Sequence, residues 1–321
     1  MTATVSVRRF DVGRVDREAI APFAGLLVVL LVAAVIAPDF YRASNLTTVG
    51  RQVAILAVIT IGQTIVLIAG AIDLSVGAVM AFAMVIVARV SDGDDVRLLA
   101  ALALCLGFGA VVGLLNAGLV VGRRVPPFVA TLATLILIEG VQTAWTRGVP
   151  SGTLPSALTT VGQSRWVGVP VPLVVAVILG AVTAFLMRST TYGRWTYSTG
   201  ANSGAARVAG VPVGAVVTVS FVVCSLCAVI GGLLLAGYVG YVDQYIGQGY
   251  DLDSIAAAVV GGAALTGGRG GIGRSMVGAA TIACLLNLIV LSGADAWLQL
   301  VVKGSVIVVA VAVQQAARGR R

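Results

Sequence analysis

Long apolar stretches follow one another along almost the whole of this chain. A bilayer core of about 30 Å is crossed by a helix of about 20 apolar residues, and ten stretches are candidates for such a crossing. They are Ala21–Ala37, Gln52–Gly70, Leu74–Arg89, Leu98–Val121, Pro127–Trp145, Val169–Met187, Gly214–Tyr238, Ser254–Leu265, Ser275–Leu291 and Trp297–Gln314. We therefore predict an all-α, polytopic membrane protein with about ten transmembrane helices.

The composition indicates solvation by lipid. Of 321 residues, 59% are hydrophobic and 11% are charged, whereas soluble domains average about 25% charged residues. The net charge is +8, but the Arg residues form short clusters between apolar stretches instead of the basic stripe of a nucleic-acid binder. We expect the lipid bilayer, and no nucleic acid, among the partners.

The distribution of basic residues predicts the orientation. With the N-terminus inside, fourteen of the 21 basic residues fall in cytoplasmic segments and six in outer segments. The positive-inside rule favours this arrangement, which places both termini in the cytoplasm and requires an even number of crossings. The chain divides into a cytoplasmic N-terminal segment (residues 1–20), a transmembrane domain (21–314) and a cytoplasmic tail (315–321).

Two of the ten stretches are short and begin in a similar way. Leu74–Arg89 follows the sequence GAIDLS (70–75), and Ser254–Leu265 follows GYDLDS (249–254). They are the third and the eighth stretches. If every stretch crosses the membrane, two stretches that are five apart cross it in opposite directions. Inverted repeats with broken helices near the transport pathway show this pattern. We expect the two segments to line a pathway.

Three ionisable residues fall at membrane depth. Asp73 lies at the membrane boundary or inside it, where it either caps a helix or serves a functional site. At 1.5 Å per residue, Glu139 lies ~18 Å from the cytoplasmic side and Lys303 ~9 Å below the outer surface. These depths bring them close, so a Glu139–Lys303 pair is one hypothesis, and a snorkelling Lys303 is the alternative.

Several sequence patterns that resemble catalytic or cofactor sites have simpler explanations. The C-x-x-C of Cys224 and Cys227 lies inside an apolar stretch, as the other two cysteines do, and indicates small core residues. Residues 268–273 fit GxGxxG but stand between two transmembrane stretches and not in a βαβ unit. The chain contains no His, which removes the commonest general base. We predict no catalytic site, cofactor or metal.

The longest cytoplasmic connection runs from Arg188 to Val213. Its small residues between Gly200 and Pro212 favour a short surface helix that could dock into a partner protein. An ordinary solvated loop is the alternative.

Five stretches of the sequence resemble the ribose/galactose/xylose-type family of ABC importer permeases, in the family's order and spacing. They are GAIDLSVGAVMAF, LLNAGLVVGRRVPPFVATLAT, YGRWTYSTGANSGAARVAGVPV, GQGYDLDSIAAAVVGGAALTGGRGGIGRSMVGA and VVKGSVIVVAVAV. The resemblance extends over nearly the whole chain from about Ala21. The chain departs from the family pattern in three places. The family commonly has paired glycines where this chain has Gly70-Ala71, and Gly-Asn where it has Ala201-Asn202. At Glu139-Gly140 the family often has Arg-Gly.

The resemblance implies a multi-pass permease in a bacterial plasma (inner) membrane that imports a monosaccharide or similar polyol. It also implies a second permease chain, two cytoplasmic ATP-binding subunits, and a periplasmic or lipid-anchored solute-binding protein. The implied translocation pathway includes Asp73, Ser75, Asn116, Phe128, Thr131, Glu139, Asp251, Ser254 and Lys303. The implied coupling residues, which would contact the ATPase, are Tyr192, Gly193, Arg194, Gly200, Asn202, Ala205, Ala206, Arg207 and Gly210.

Other solutes and mechanisms stay open at this point. Permeases for nucleosides or branched-chain amino acids belong to the same superfamily. An ion-coupled secondary transporter could use Asp73, Glu139 and Lys303 for coupling. An intramembrane enzyme is disfavoured because the sequence lacks His and clustered intramembrane carboxylates.

Overall fold

The structure is a computed structural model that describes residues 17–149, 152–243 and 245–319. These residues form thirteen α-helices: α1 (Arg17–Ile36), α2 (Ala43–Ile68), α3 (Val76–Ser91), α4 (Leu98–Ala117), α5 (Pro127–Thr146), α6 (Ser156–Gln163), α7 (Val171–Ser189), α8 (Thr191–Ala201), α9 (Ser203–Val208), α10 (Val213–Val239), α11 (Tyr250–Val260), α12 (Ile272–Leu291) and α13 (Ala296–Gly319). Two strands, β1 (Arg165–Trp166) and β2 (Val169–Pro170), form an antiparallel hairpin before α7. The predicted all-α class is confirmed.

The predicted number of transmembrane helices, about ten, is wrong. In the described part of the chain, six helical segments are long and apolar enough to cross a membrane: Ala43–Ile68, Asp95–Gly122, Pro127–Thr146, Val171–Ser189, Val213–Val239 and Ile272–Leu291. Counting apolar residues overestimated the number because α3 has 16 residues and α11 has only 11. The apolar part of α1, Ile20–Ile36, is also short.

The predicted division into a cytoplasmic N-terminal segment, a transmembrane domain and a cytoplasmic tail stays a prediction. Residues 1–16 of the predicted N-terminal segment lie outside the described residues, and α1 begins at Arg17. At the other end, α13 continues past the predicted boundary at residue 314 as far as Gly319. The predicted cytoplasmic location of both termini stays a prediction.

Helix α2 lies at the centre of the bundle. Every residue from Ala54 to Ile68 is buried, and α2 contacts α7, α10, α11 and α12. Gly62 and Gly231 allow this close packing: a Cβ on Gly62 would lie 2.8 Å from the Cα of Cys224, and one on Gly231 would lie 2.7 Å from Ile59. Protein, not lipid, therefore surrounds this helix from Ala54 to its end.

The helices on the two sides of α2 and α10 pack in matching ways. Helix α10 contacts α3 and α4, and α2 contacts α11 and α12. In the same way α3 packs against α4 and α5, and α11 packs against α12 and α13. The two short helices thus occupy equivalent places: α3 lies between α10 and α4, and α11 lies between α2 and α12.

Candidate functional site

The two short helices are both preceded by a glycine in the left-handed backbone region. The φ angle is 88° at Gly70 and 89° at Gly249, values that favour glycine because it lacks a Cβ. Residues 71–74 then run without regular structure before α3 begins. A Cβ on Gly77 would lie 2.8 Å from the carbonyl oxygen of Gly247. The start of α3 therefore packs directly against the loop that leads into α11.

A cavity opens where these two segments meet α5. Its volume is about 590 Å³, within the range of small-molecule sites. Polar groups come from three segments: Glu139, Gln142 and Thr143 on α5, Gln248 in the loop, and Asp251 on α11. The remaining wall is formed by small or apolar residues and an aromatic ring, namely Gly77, Ala78, Ala81, Leu135, Gly148, Tyr245, Gly247, Gly249 and Leu252.

Two predicted pathway residues, Glu139 and Asp251, thus line one cavity. Glu139, Gln142 and Thr143 are spaced by three and four residues along α5 and so share one face of the helix. Gln142 is only 3% exposed, yet it is one of the residues that line the cavity. The cavity therefore combines carboxylate acceptors with amide and hydroxyl groups that both donate and accept hydrogen bonds.

Three further predicted pathway residues form a buried polar cluster outside this cavity. Asp73, Ser75 and Asn116 are all 0% exposed. Asp73 Oδ1 accepts hydrogen bonds from the Ser75 amide at 2.9 Å and the Ser75 hydroxyl at 2.5 Å, and Asn116 Nδ2 donates to Ser75 Oγ at 3.0 Å. The cluster joins the start of α3 to the end of α4. Asp73 therefore orders the backbone at Ser75, the residue before α3, but it does not bond the first amides of the helix itself.

Lys303 has a different partner from the one hypothesised. Its ammonium lies 2.8 Å from Asp253 Oδ2, and the side chains are 23% and 9% exposed respectively. This geometry does not support the hypothesis of a Glu139–Lys303 pair, because the ammonium of Lys303 already forms a salt bridge with Asp253 on α11. The pair ties α13 to α11 immediately beside the cavity.

The other predicted pathway residues lie elsewhere. Ser254 is buried and its hydroxyl donates to the carbonyl of Asp251. Thr131 is buried and donates within α5 to the carbonyl of Pro127. Phe128 is 54% exposed near the start of α5. None of these three side chains is among the residues that line the cavity in the described part of the chain.

The long predicted cytoplasmic connection contains two short helices, α8 and α9. Side chains cap both: Thr190 accepts from the Gly193 amide, and Asn202 accepts from the Ala205 amide at 2.9 Å. Such caps satisfy amides that have no partner inside the helix. Asn202, which the resemblance placed in the coupling set, thus shapes the entry into α9.

The predicted coupling residues divide into inward and outward groups. Ala206 is 4% exposed and Tyr192 bonds Ser220 of α10, so both pack against this chain itself. By contrast, Arg207 is exposed, and the neighbouring Val208 is 93% exposed. Val208 was not in the predicted set. An apolar side chain so exposed at the end of a surface helix is the best candidate for a contact with another subunit.

Four glycines join α8 to both short helices. A Cβ on Gly267 would lie 2.7 Å from the Gly200 carbonyl oxygen and 2.8 Å from the Gly70 Cα, and one on Gly268 would lie 2.6 Å from the Ala201 Cα. We call Gly70, Gly200, Gly267 and Gly268 the glycine junction. The Gly268 amide also donates to the Ile68 carbonyl at 2.9 Å. The end of α8 is thus packed against the chain entering α3 and the chain leaving α11.

Tyr197 adds a side-chain link next to the glycine junction. Its hydroxyl donates to the carbonyl of Gly270 at 3.2 Å. Burial raises the pKa of Tyr197, and the positive charges of Arg274 and Arg188 oppose this rise. The hydroxyl therefore stays protonated as a hydrogen-bond donor near neutral pH.

The sequence did not single out Gln142, Thr143, Tyr245 and Gln248. A signal for Gln142 and Thr143 exists in retrospect, since they lie three and four residues after Glu139.

A reciprocal amide pair between α2 and α12 was also missed. Asn45 Nδ2 donates to Asn287 Oδ1 at 3.0 Å, and Asn287 Nδ2 donates to Asn45 Oδ1 at 3.1 Å. Nothing in either local sequence indicates this pairing between α2 and α12.

Comparisons with known proteins agree on the kind of protein. The ribose import permease protein RbsC of Escherichia coli (strain K12) is 32% identical over 97% of this chain and 98% of that protein. RbsC of Bacillus subtilis (strain 168) is 34% identical over 92% of each chain. The galactofuranose transporter permease protein YtfT of Escherichia coli (strain K12) is 34% identical over 90% of this chain and 87% of that protein. No solved structure shows a significant match.

A family model covers most of the chain as well. Residues 45–311 match the family described as "Branched-chain amino acid transport system / permease component". The matched range includes every residue that lines the cavity, the glycine junction and the helices α8 and α9. The chain belongs to this family of transport-system permease components.

Proposed function

We propose that this chain is the membrane-spanning permease subunit of a bacterial ABC importer, and that a monosaccharide or similar small polyol passes through the cavity between α3, α5 and α11. The observation that carries the proposal is the set of polar side chains in that cavity. Carboxylates and amides from Glu139, Gln142, Gln248 and Asp251 match the dense hydroxyl groups of a polyol. The names of the relatives, which include ribose and galactofuranose permeases, agree.

ATP hydrolysis belongs to partner subunits in this proposal, and the permease converts it into alternating access. The family assignment implies cytoplasmic ATP-binding subunits and a solute-binding protein. We assign the ATPase contact to α9, where Val208 and Arg207 are exposed, and transmission to the glycine junction. A second copy of the chain would cover apolar side chains that α5 exposes, such as Ile136 (60%) and Leu137 (58%).

Uptake by the complete importer tests the class of transporter. The chain is expressed with an ATP-binding subunit and a solute-binding protein of an importer from the same organism, and uptake of radiolabelled ribose, galactose and xylose is measured. We expect uptake that stops when the ATPase is inactivated and continues when an uncoupler removes the proton gradient. The opposite pattern would identify an ion-coupled secondary transporter and contradict the proposal.

Two substitutions test the cavity itself. Glu139→Gln and Asp251→Asn keep the size of each side chain and remove the charged acceptor, which should lower uptake about tenfold or more because a hydrogen bond to a charged group contributes about 1.5–3 kcal/mol. Thr160→Val is a matched control because Thr160 is exposed on α6 and does not line the cavity. Equal uptake by all three variants would place the solute elsewhere.

A further inference from the structure

The charges around the cavity are unbalanced. Two of its lining residues, Glu139 and Asp251, are carboxylates, and none of the described residues in its wall is basic. The nearest ammonium belongs to Lys303, which lies 3.8 Å from the position of a Cβ on Gly249. That ammonium is paired with Asp253 at 2.8 Å. Lys303 therefore compensates Asp253, and neither cavity carboxylate forms an ion pair with another of the described residues.

The position of Glu139 and Asp251 in a cleft strengthens the effect of their charges on a bound molecule. Gln142, 97% buried and in the cavity wall, forms no side-chain hydrogen bond within the described residues, so its amide is available to a bound molecule. Glu139 forms no ion pair in the described part of the chain. In a cleft with low-dielectric walls, charges of one sign focus the electric field and change the local concentration of ions. The cavity will concentrate cations and repel anions.

We propose that this cavity selects solutes by charge: it admits neutral and amine-bearing polyols and excludes acidic ones such as uronic acids and sugar phosphates, with Glu139 as the specificity-determining residue. Glu139 and Asp251 accept hydrogen bonds from hydroxyl or ammonium groups, and Gln142 and Gln248 donate to ring or carbonyl oxygens. An acidic solute would bring a third negative charge into the same space. This inference rests on the proposed function and specifies the chemical class of its solute.

The charge of the cavity can be measured on the permease alone, without the binding protein or the ATPase. Gln248→Cys places a single reactive thiol in the wall opposite α5, since the four native cysteines are all buried. The thiol is labelled with a positively charged and a negatively charged methanethiosulfonate of similar size. We expect the ratio of the cationic to the anionic rate to exceed that of a free thiol by about tenfold, as field focusing predicts.

Two comparisons make this measurement specific. Adding Glu139→Gln to Gln248→Cys should reduce the rate ratio several-fold, and Thr160→Cys, an exposed position on α6 outside the cavity, should show the ratio of a free thiol. Equal ratios at Gln248→Cys and Thr160→Cys, or a ratio that Glu139→Gln leaves unchanged, would overturn the proposal.

Protection by sugars then tests the solute class directly. Glucosamine, glucose and glucuronate have similar sizes and differ in charge, and each is added at the same concentration during labelling with the anionic reagent. We expect glucosamine and glucose to slow the labelling of Gln248→Cys, and glucuronate to have no effect until Glu139→Gln is added. Protection by glucuronate in the unaltered cavity would refute charge selection while leaving the uptake results, and hence the proposed function, standing.

Discussion

Breaking the Lys303–Asp253 pair should destabilise the protein strongly, and removing both charges should not. The two charged atoms are 2.8 Å apart, and the side chains are 23% and 9% exposed. At an effective dielectric constant of about 20, Coulomb's law gives an attraction of about 6 kcal/mol at this distance. Desolvation offsets much of it, so the net value of the pair is small compared with the cost of leaving one charge unpaired.

The expected losses follow from that difference. Asp253→Asn leaves the ammonium of Lys303 without a partner, and Lys303→Met leaves the carboxylate of Asp253, so each single variant should lose about 3 kcal/mol of unfolding free energy. The double variant has neither charge and should lie within about 1 kcal/mol of the unaltered protein. The coupling energy between the two positions is then about 5 kcal/mol, above the range of about 0.5–3 kcal/mol for ordinary contacting residues, because each single variant leaves a buried charge unpaired.

Unfolding in mixed micelles with increasing dodecyl sulfate, followed by circular dichroism, measures these differences. Ser305→Ala is a control on the same helix, because Ser305 is exposed and, among the described residues, its hydroxyl bonds only the carbonyl of Val301 in its own helix. It should change stability by less than about 0.5 kcal/mol. If the two single losses simply add in the double variant, the side chains do not stabilise each other and the reasoning fails.

Three further predictions concern packing and coupling. Asn287→Leu should cost about 0.5–2 kcal/mol of unfolding free energy, measured in the same assay, because it leaves Asn45 without its reciprocal hydrogen bonds. Gly200→Ala should permit ATP hydrolysis but abolish uptake, because the added Cβ would collide with the carbonyl oxygen of Ile68. Gly273→Ala is the control: a Cβ at Gly273 has no neighbouring atom within 4 Å, so the ratio of uptake to hydrolysis should not change. Val208→Asp should weaken co-purification of the ATP-binding subunit without altering the stability of the permease, since Val208 is 93% exposed; undiminished co-purification would exclude α9 as the contact.

The sequence predicted the class of fold well and the helix count badly, for related reasons. Apolar length identifies segments that leave water, but it does not distinguish a helix that crosses a bilayer from a short one held by protein. Helix α11 ends at Val260 because Gly261 and Gly262 follow, and Gly262 adopts a φ of 88°. The apolar stretch continues to Leu265 in the sequence, beyond the end of the helix.

Depth along the chain predicted polar surroundings for Glu139, but not the partner of Lys303. Glu139 is among the residues that line the cavity, and it is exposed in the described structure, so its shielding from lipid stays a prediction. Asp253 was not singled out from the sequence, because nothing in its local sequence indicates a partner on another helix. The left-handed turn at Gly249 starts α11 before Asp253 and turns this residue toward α13. Only the three-dimensional path of the backbone reveals this.

The burial of α2 has a consequence for how the protein is made. During synthesis α2 enters the membrane before α10 and α12 exist, so the side chains of Thr60, Gln63 and Thr64, each 0% exposed in the finished bundle, first face lipid or the insertion machinery. The hydroxyls of Thr60 and Thr64 bond carbonyls of their own helix and tolerate this interval. Gln63 has no such partner within α2, and Cys224 of α10 is the group that contacts it. The contact that Gln63 makes in the finished bundle can therefore form only after α10 has been synthesised, and an insertase that shields Gln63 until then would lower the cost of the interval.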